Sequence, residues 1–114
     1  MNKTEKEMLE ILHKLKDNGA IAVKAEFEAE GTRTEELLRL MDLSRRASFN
    51  VGLKIGGCEA VRDLIEAKQF GVDYVIAPMV ETPYAMEKYV DAKNKVFNLD
   101  EREDTDFLVN IETL

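Results

Sequence analysis

The sequence predicts an α/β fold built as a parallel (βα) half-barrel, with four strands and four helices in a single partial barrel domain, residues 1–114. Three observations predict it. Apolar residues recur at helical spacing in four segments, and a short apolar run follows each of them. Within these apolar runs, the polar residues occupy alternate positions, so that they lie on one side of each predicted strand. Strands that alternate with helices form parallel sheets through right-handed crossovers, so the order α-β-α-β-α-β-α-β favours this class.

The ends of the helices are predicted from capping signals. The first two helices begin at the capping-box pairs Thr4–Glu7 and Thr32–Glu35, and the fourth begins at Thr82-Pro83. Gly71 stops the third helix. The predicted helices are residues 4–17, 32–47, 58–70 and 82–95, and the predicted strands are residues 20–27, 50–55, 73–79 and 106–113. The first helix has the apolar stripe Met8, Ile11, Leu12 and Leu15.

The polar phase of the strands separates two kinds of parallel sheet. An open doubly wound sheet meets helices on both faces, so its central strands are apolar throughout. Here Lys24, Glu26 and Glu28 alternate with apolar residues in the first strand, Lys54 does so in the second, and Glu112 lies late in the last. A polar face turned towards a shared interior is typical of the active end of a TIM-type barrel. Such a barrel needs about 200 residues or more, so four strands make half of one.

Composition and charge exclude several classes of function. The apolar content of 45% and the charged content of 34% are typical of a soluble globular protein. A formal net charge of −7 argues against nucleic acid and anionic membranes as partners, and no apolar run approaches the roughly 18 residues of a membrane span. With one cysteine and one histidine, the chain argues against a structural zinc site, which takes four such ligands. We expect a reduced, cytoplasmic setting.

The polar residues of the predicted strands include candidate metal ligands. Glu112, with Asn110 and with Glu26 or Glu28, is suited to a hard divalent cation such as Mg²⁺. Lys54 and Lys24 would then meet an anionic substrate or stabilise an enolate. The alternative is that Lys24–Glu26 and Lys54–Glu112 are ion pairs without chemistry.

Gly56-Gly57 precedes the third predicted helix. Backbone N–H groups at such a position bind carboxylate or phosphate groups, so both glycines are candidate substrate-binding residues. A simple turn is the alternative.

Three stretches of the chain resemble a known family. The segment 70–73, Phe-Gly-Val-Asp, followed by 77–82, Ala-Pro-Met-Val-Glu-Thr, is similar to the "G-x-D…P-M-V-[DE]-[ST]" pattern of the HpcH/HpaI aldolase and citrate lyase β-subunit family. The segment 109–113, Val-Asn-Ile-Glu-Thr, resembles the strand that carries the metal-binding glutamate of that family. The segment 24–37 is similar to a subgroup of aldolase/citrate lyase proteins, and the resemblance spans roughly residues 20 to 114.

The resemblance implies a (β/α)8 barrel, Mg²⁺ or Mn²⁺, and reversible carbon–carbon cleavage that gives pyruvate, oxaloacetate or an acyl-CoA-derived enolate. It assigns Glu112 as the first metal carboxylate, with Asn110 as its polar neighbour, and puts Lys54 where many members have a substrate-binding arginine. Lysine does not replace arginine in bidentate carboxylate binding. The family's histidine after the first strand is absent, and Ala29 lies near that position. The second metal carboxylate comes from a strand beyond Glu112, so we expect this chain to be incomplete alone.

Three functions remain open. The first is a metal-dependent lyase acting on a 2-keto acid or related enolate, or on an acyl substrate, complete only with a second half. The second is a catalytically silent half-barrel or scaffold, and the third is a phosphate-sugar enzyme using Gly56-Gly57. Open strand edges associate readily, so we expect a homo-oligomer, in which a two-fold dimer would close eight strands and bring two Glu112 side chains to one interior.

Overall fold

In a computed structural model, which describes residues 1–28 and 30–113, helices and strands alternate along the chain. Ala29 and Leu114 lie outside the described residues. The helices are α1 (Lys3–Asp17), α2 (Thr34–Arg46), α3 (Val61–Phe70) and α4 (Pro83–Val96), and the strands are β1 (Ala22–Glu26), β2 (Asn50–Lys54), β3 (Tyr74–Ala77) and β4 (Asp106–Val109). A short 3-10 helix, Glu101–Asp104, precedes β4. The predicted α/β class with a four-stranded parallel sheet is confirmed.

The strands lie side by side in chain order, β1-β2-β3-β4. Right-handed crossovers that always step in the same direction keep their helices on one face of the sheet. The strand residues in the main core are one alternating set, which includes Ala25, Leu53 and Val75, and they pack against helix residues such as Leu37 and Leu64. A doubly wound sheet requires a reversal of the strand order, and the four described strands show none.

The opposite face of the sheet carries the polar phase that the sequence predicts. It is made by the other alternating set of strand residues, which includes Lys24, Glu26, Gly52, Lys54, Tyr74, Ile76, Asp106 and Leu108. The register aligns these residues in two rows across the strands, one running Lys24–Gly52–Tyr74–Asp106 and the other Glu26–Lys54–Ile76–Leu108. The rows fix which side chains become neighbours at the candidate site.

Two helices begin at other residues than predicted. Helix α1 starts after Asn2, whose side-chain oxygen accepts a hydrogen bond from the Glu5 amide, so Asn2 and not Thr4 is the N-cap. Helix α2 starts after Arg33, and the Glu36 carboxylate accepts from both the amide and the Nε of that arginine. In each case the N-cap lies within two residues of the predicted one, a difference that sequence spacing does not distinguish.

The third and fourth helices follow their signals more closely. Helix α3 begins at Val61, three residues after the predicted start, and ends at Gly71 in the left-handed conformation. The hydroxyl of Thr82 caps α4 by accepting from the Ala85 amide, and Pro83 occupies the first turn. These two predicted end signals, Gly71 and Thr82-Pro83, are confirmed.

Strand β4 ends at Val109, before the predicted limit of residue 113. Its neighbour β3 ends at Ala77, because Pro78 has no N–H to donate and Met79 adopts a positive φ of 50°. Beyond that point two hydrogen bonds hold the chain, from the Asn110 amide to the Ala77 carbonyl and from the Val80 amide to the Asn110 carbonyl, each 2.9 Å. The extension carries Glu112 past the edge of the sheet.

The apolar stripe predicted for α1 is only partly buried. Leu12 is buried against Leu43 and Phe49, whereas Ile11 and Leu15 are 56% and 47% exposed. Strand β1, which follows α1, is an edge strand and has a neighbour on one side only. The outer part of the stripe therefore lies beyond the covered part of the sheet. Within the described part of the chain, no helix combines the length and apolar character that a membrane crossing requires.

Candidate functional site

The candidate site lies at the carboxyl ends of the strands, on the face opposite the helices. Alternation along β1 and β2 directs Glu26 and Lys54 to this face, and the register aligns the two residues. The extension after β4 brings Asn110 and Glu112 to the same edge. The carboxyl ends of parallel strands are where ligands bind in barrels and in open α/β sheets.

Lys54 and Glu112 form an ion pair across the sheet. The distance from Lys54 Nζ to Glu112 Oε1 is 3.3 Å, and the pair joins β2 to the extension of β4 over the intervening strand β3. The Lys54 side chain is 19% exposed and that of Glu112 is 36% exposed. The predicted contact between these residues is therefore present, and it joins residues 58 positions apart.

Lys24 and Glu26 form the second predicted ion pair, within β1. Lys24 Nζ lies 3.0 Å from Glu26 Oε1. The hydrogen bond from Lys24 lowers the pKa of the Glu26 carboxyl below its usual value, partial burial opposes that shift, and the charges of Lys24 and Lys54 add to it. Glu26 is thus an ionised carboxylate at neutral pH, held between two lysines.

A cleft of about 180 Å³ opens beside these pairs. At about 30 Å³ per water molecule it has room for on the order of six waters, or for a small organic acid. Its lining combines charged and apolar residues. The lining residues are Glu26, Glu28, Lys54, Ile55, Gly56 and Pro78.

Gly56 has a structural role in this cleft. Its amide donates a 2.8 Å hydrogen bond to the Asp63 carboxylate at the start of α3, so this N–H already has an acceptor within the protein. The Glu28 carboxylate occupies the space that a Cβ on Gly56 would take, whereas a Cβ on Gly57 would have no heavy atom within 4 Å. An anion at the Gly56 amide would have to displace Asp63.

The predicted metal ligands do not make a metal centre by themselves. Over residues 1–28 and 30–113, no group of three His, Cys, Asp or Glu side chains is arranged to hold a metal ion. Glu112 contacts Lys54, and Glu26 contacts Lys24. Two carboxylates that each contact a lysine do not complete the coordination shell of a divalent cation.

The structure adds three residues that the sequence did not single out for this site. Asp63 fixes the Gly56 amide, Ile55 lines the cleft, and Met79, which is 64% exposed, follows the cleft residue Pro78 in the left-handed region. The sequence does not predict a positive φ at Met79, because glycine, asparagine and aspartate are the residues that adopt that region readily. Asp63 lies on the first turn of α3, and its contact with the Gly56 amide depends on the conformation of the loop between them.

Comparison of the chain with protein-family models, with curated proteins and with solved structures found no match.

Proposed function

We propose that this chain is half of a TIM-type barrel that acts as a metal-dependent carbon–carbon lyase on a 2-keto acid or related enolate. The observation that carries the proposal is the Lys54–Glu112 pair beside a charged cleft at the carboxyl ends of consecutive parallel strands. A half-barrel agrees with the consecutive strand order and with the single helix-covered face.

Lys54 is the group that this proposal places against the substrate. Cleavage of a 4-hydroxy-2-keto acid removes the hydroxyl proton, breaks the bond between C3 and C4, and releases an aldehyde and the enolate of the keto acid, which then takes a proton on carbon. The negative charge that develops on the enolate oxygen is stabilised by an ammonium group that is already oriented and largely shielded from water. Lys24, whose ammonium group lies 3.0 Å from the cleft residue Glu26, attracts the substrate carboxylate.

Mg²⁺ or Mn²⁺ is the proposed cofactor, with Glu112 and Glu26 as the ligands this chain supplies. When bound, such a cation polarises the keto group as a Lewis acid. The two carboxyl side chains lie at the same edge of the sheet, which supports the assignment. The remaining donors are outside what one copy of the described chain brings together.

A substrate test separates this function from a phosphate-sugar enzyme. In a thermal-shift assay with Mn²⁺ present, we expect pyruvate to raise the Tm and a sugar phosphate to leave it unchanged. Lys54→Gln should abolish the pyruvate shift, and Lys95→Gln on the exposed side of α4 is the matched control. A shift with the sugar phosphate alone would favour Gly56-Gly57 as a phosphate site.

A catalytic readout completes this test. The predicted activity is release of pyruvate from a 4-hydroxy-2-keto acid, followed in a coupled dehydrogenase assay, and Lys54→Gln should lower it at least tenfold.

The second candidate is a catalytically silent half-barrel that self-associates. The specific observation in its favour is that both predicted metal carboxylates already contact lysines. A protein that binds these ligands without turnover, or that shows no binding and no turnover, would support this alternative over the lyase.

A further inference from the structure

We propose that the two ends of the half-barrel are an interface for a second copy of this chain, and that the candidate site is shared across it. The proposed function supplies the metal and substrate chemistry on which this inference rests. The interface places Lys24 and Glu26 of the partner subunit beside Asn110 and Glu112 of the first.

The alternation of elements allows two copies to close a ring. Every strand is preceded by a helix, in the order α1-β1 to α4-β4, so each copy contributes four complete αβ units. If β4 of one copy pairs with β1 of the other, α1 of the second copy lies in the space between these strands. Eight parallel strands then alternate with eight helices, as barrel closure requires.

Exposed apolar residues lie at both ends of the half-barrel. At the β1 end they are Ile11 and Leu15 of α1, which continue the stripe of buried Leu12. At the β4 end they are Met86 and Val90 of α4, one turn apart. The neighbouring Lys93 lies over the ring of Phe107 in β4, which locates this flank of α4 on the β4 side. In the closed ring, α1 of one copy packs against this flank of the other.

Barrel geometry predicts the register at the new strand pair. A row of paired residues that is followed around an eight-stranded barrel, perpendicular to the strands, returns to its first strand about eight residues away from where it began. Each half of the barrel therefore contributes a displacement of about four residues. The row Lys24–Gly52–Tyr74–Asp106 therefore meets β1 of the partner about four residues earlier than Lys24. Continued to the site, this register sets Asn110 opposite Lys24 of the partner subunit and Glu112 opposite Glu26 of the partner subunit.

Charge complementarity supports a second copy at this position. Segment 98–113 carries six acidic residues and one arginine, and the side chain of Lys24 on the free edge of β1 is 48% exposed. Lys24 of the partner subunit would thus lie opposite Asn110, two residues from Glu112, which keeps its contact with Lys54 of its own chain. The total charge of −7 per copy opposes association at low salt, so dimerisation should strengthen as salt rises to about 0.15 M.

Sedimentation velocity tests the interface. We expect a particle of twice 13.0 kDa, and Ile11→Glu with Leu15→Glu should convert it to a folded 13.0 kDa monomer with an unchanged far-UV circular dichroism spectrum. Leu38→Glu is the control, because Leu38 is 49% exposed on α2, in the interior of the helix layer and away from both ends. A monomeric wild type, or equal dissociation by the control, overturns the interface.

Mixing two variants tests whether the site is shared. Glu112→Gln and Glu26→Gln dimers should each lose Mn²⁺ binding, and mixed dimers should have one intact seam, because Glu112 of one copy meets Glu26 of the other there. After unfolding and refolding an equal mixture, about one quarter of the wild-type Mn²⁺ sites should return. Dimers that recover no site overturn the shared site.

The two proposals fail differently. Mn²⁺ binding that is lost with Glu112→Gln in a monomer leaves the proposed function standing and overturns the interface. A dimer of the wild type that binds neither Mn²⁺ nor pyruvate overturns the proposed function and with it the shared site.

Discussion

At the scale of single residues, one carboxylate outside the candidate site ties the sheet to the helices. Asp73 lies just before β3 and accepts hydrogen bonds from the Val51 amide, at 2.8 Å, and from Arg45 Nη1, at 2.7 Å. Arg45 in turn donates to the carbonyl oxygens of Phe49 and Gly71. One aspartate thus joins β2, α2 and the turn before β3. Part of the segment that resembles the lyase family is therefore explained by structure rather than by chemistry.

Replacing Asp73 should destabilise the fold. Asp73→Ala removes a charge-assisted pair and leaves the Val51 amide without its side-chain acceptor, so we expect the free energy of unfolding to fall by about 2–3 kcal/mol in urea titrations. The control is Asp42→Ala, which breaks the exposed Arg46–Asp42 pair of α2 and should cost about 0.5 kcal/mol or less. Equal losses in the two variants would contradict this role of Asp73.

At the scale of elements, the segment between α4 and β4 is ordered by one reciprocal cap. The Asn98 amide donates to Glu101 Oε1 at 2.9 Å, and the Glu101 amide donates to Asn98 Oδ1 at 2.8 Å. Lys68 of α3 adds an ion pair with Glu101 at 3.2 Å. These contacts fasten the 3-10 helix to α3 and set where β4 and the Glu112 extension begin.

This cap predicts a pH dependence. The hydrogen bond from the Asn98 amide lowers the pKa of the Glu101 carboxyl, burial opposes it, and Lys68 adds to the lowering. A carboxyl whose pKa is lower in the folded state stabilises the fold above its unfolded pKa, near 4.5, and this contribution disappears as the pH falls through the folded pKa. Glu101→Gln should therefore have a lower Tm than wild type at pH 7, and the difference should close as the pH falls below 4.5 and through the lowered pKa of the folded state.

Thermal unfolding over pH 3–8 measures this difference. Glu103→Gln, an exposed carboxyl of the same 3-10 helix, is the control and should follow the wild-type profile. A Glu101→Gln curve that stays parallel to wild type throughout this range would contradict the proposed linkage.

The elements also show which features the sequence predicts and where it is insufficient. Local signals are enough for the βα order, for Gly71 and for Thr82-Pro83, because each depends on a few neighbouring residues. The exact starts of α1 and α2 are not predictable, since Asn2 and Arg33 compete with adjacent cap residues. The end of β4 depends on where β3 ends, and that depends on the backbone of Met79, which is a tertiary property.

The same distinction applies to the candidate site. Strand alternation predicts that Lys24, Glu26 and Lys54 share a face, and consecutive strand order then allows Lys54 to meet Glu112. The Asp63 contact with Gly56 and the position of Glu28 over that glycine depend on loop geometry, which residue spacing does not encode. The absence of a three-ligand metal cluster among the described residues is also a three-dimensional property.

At the scale of the whole molecule, the distribution of side chains on the sheet is asymmetric. One face is covered by all four helices, and the other carries lysines, glutamates and partly exposed apolar residues such as Leu108. Both edge strands have free backbone groups, and edges of this kind pair with further strands. The half-barrel that we propose, with its site completed by another half, would account for the open face, the free edges and the charged carboxyl-terminal edge together.

The central claim is that Glu112 belongs to a divalent-cation site at this edge, and calorimetric titration with Mn²⁺ at pH 7 tests it most directly. We expect saturable Mn²⁺ binding by the wild type, at least tenfold weaker Mn²⁺ binding by Glu112→Gln, and unchanged Mn²⁺ binding by Glu87→Gln on the exposed surface of α4. Absence of binding by the wild type, or equal binding by wild type and Glu112→Gln, would contradict it.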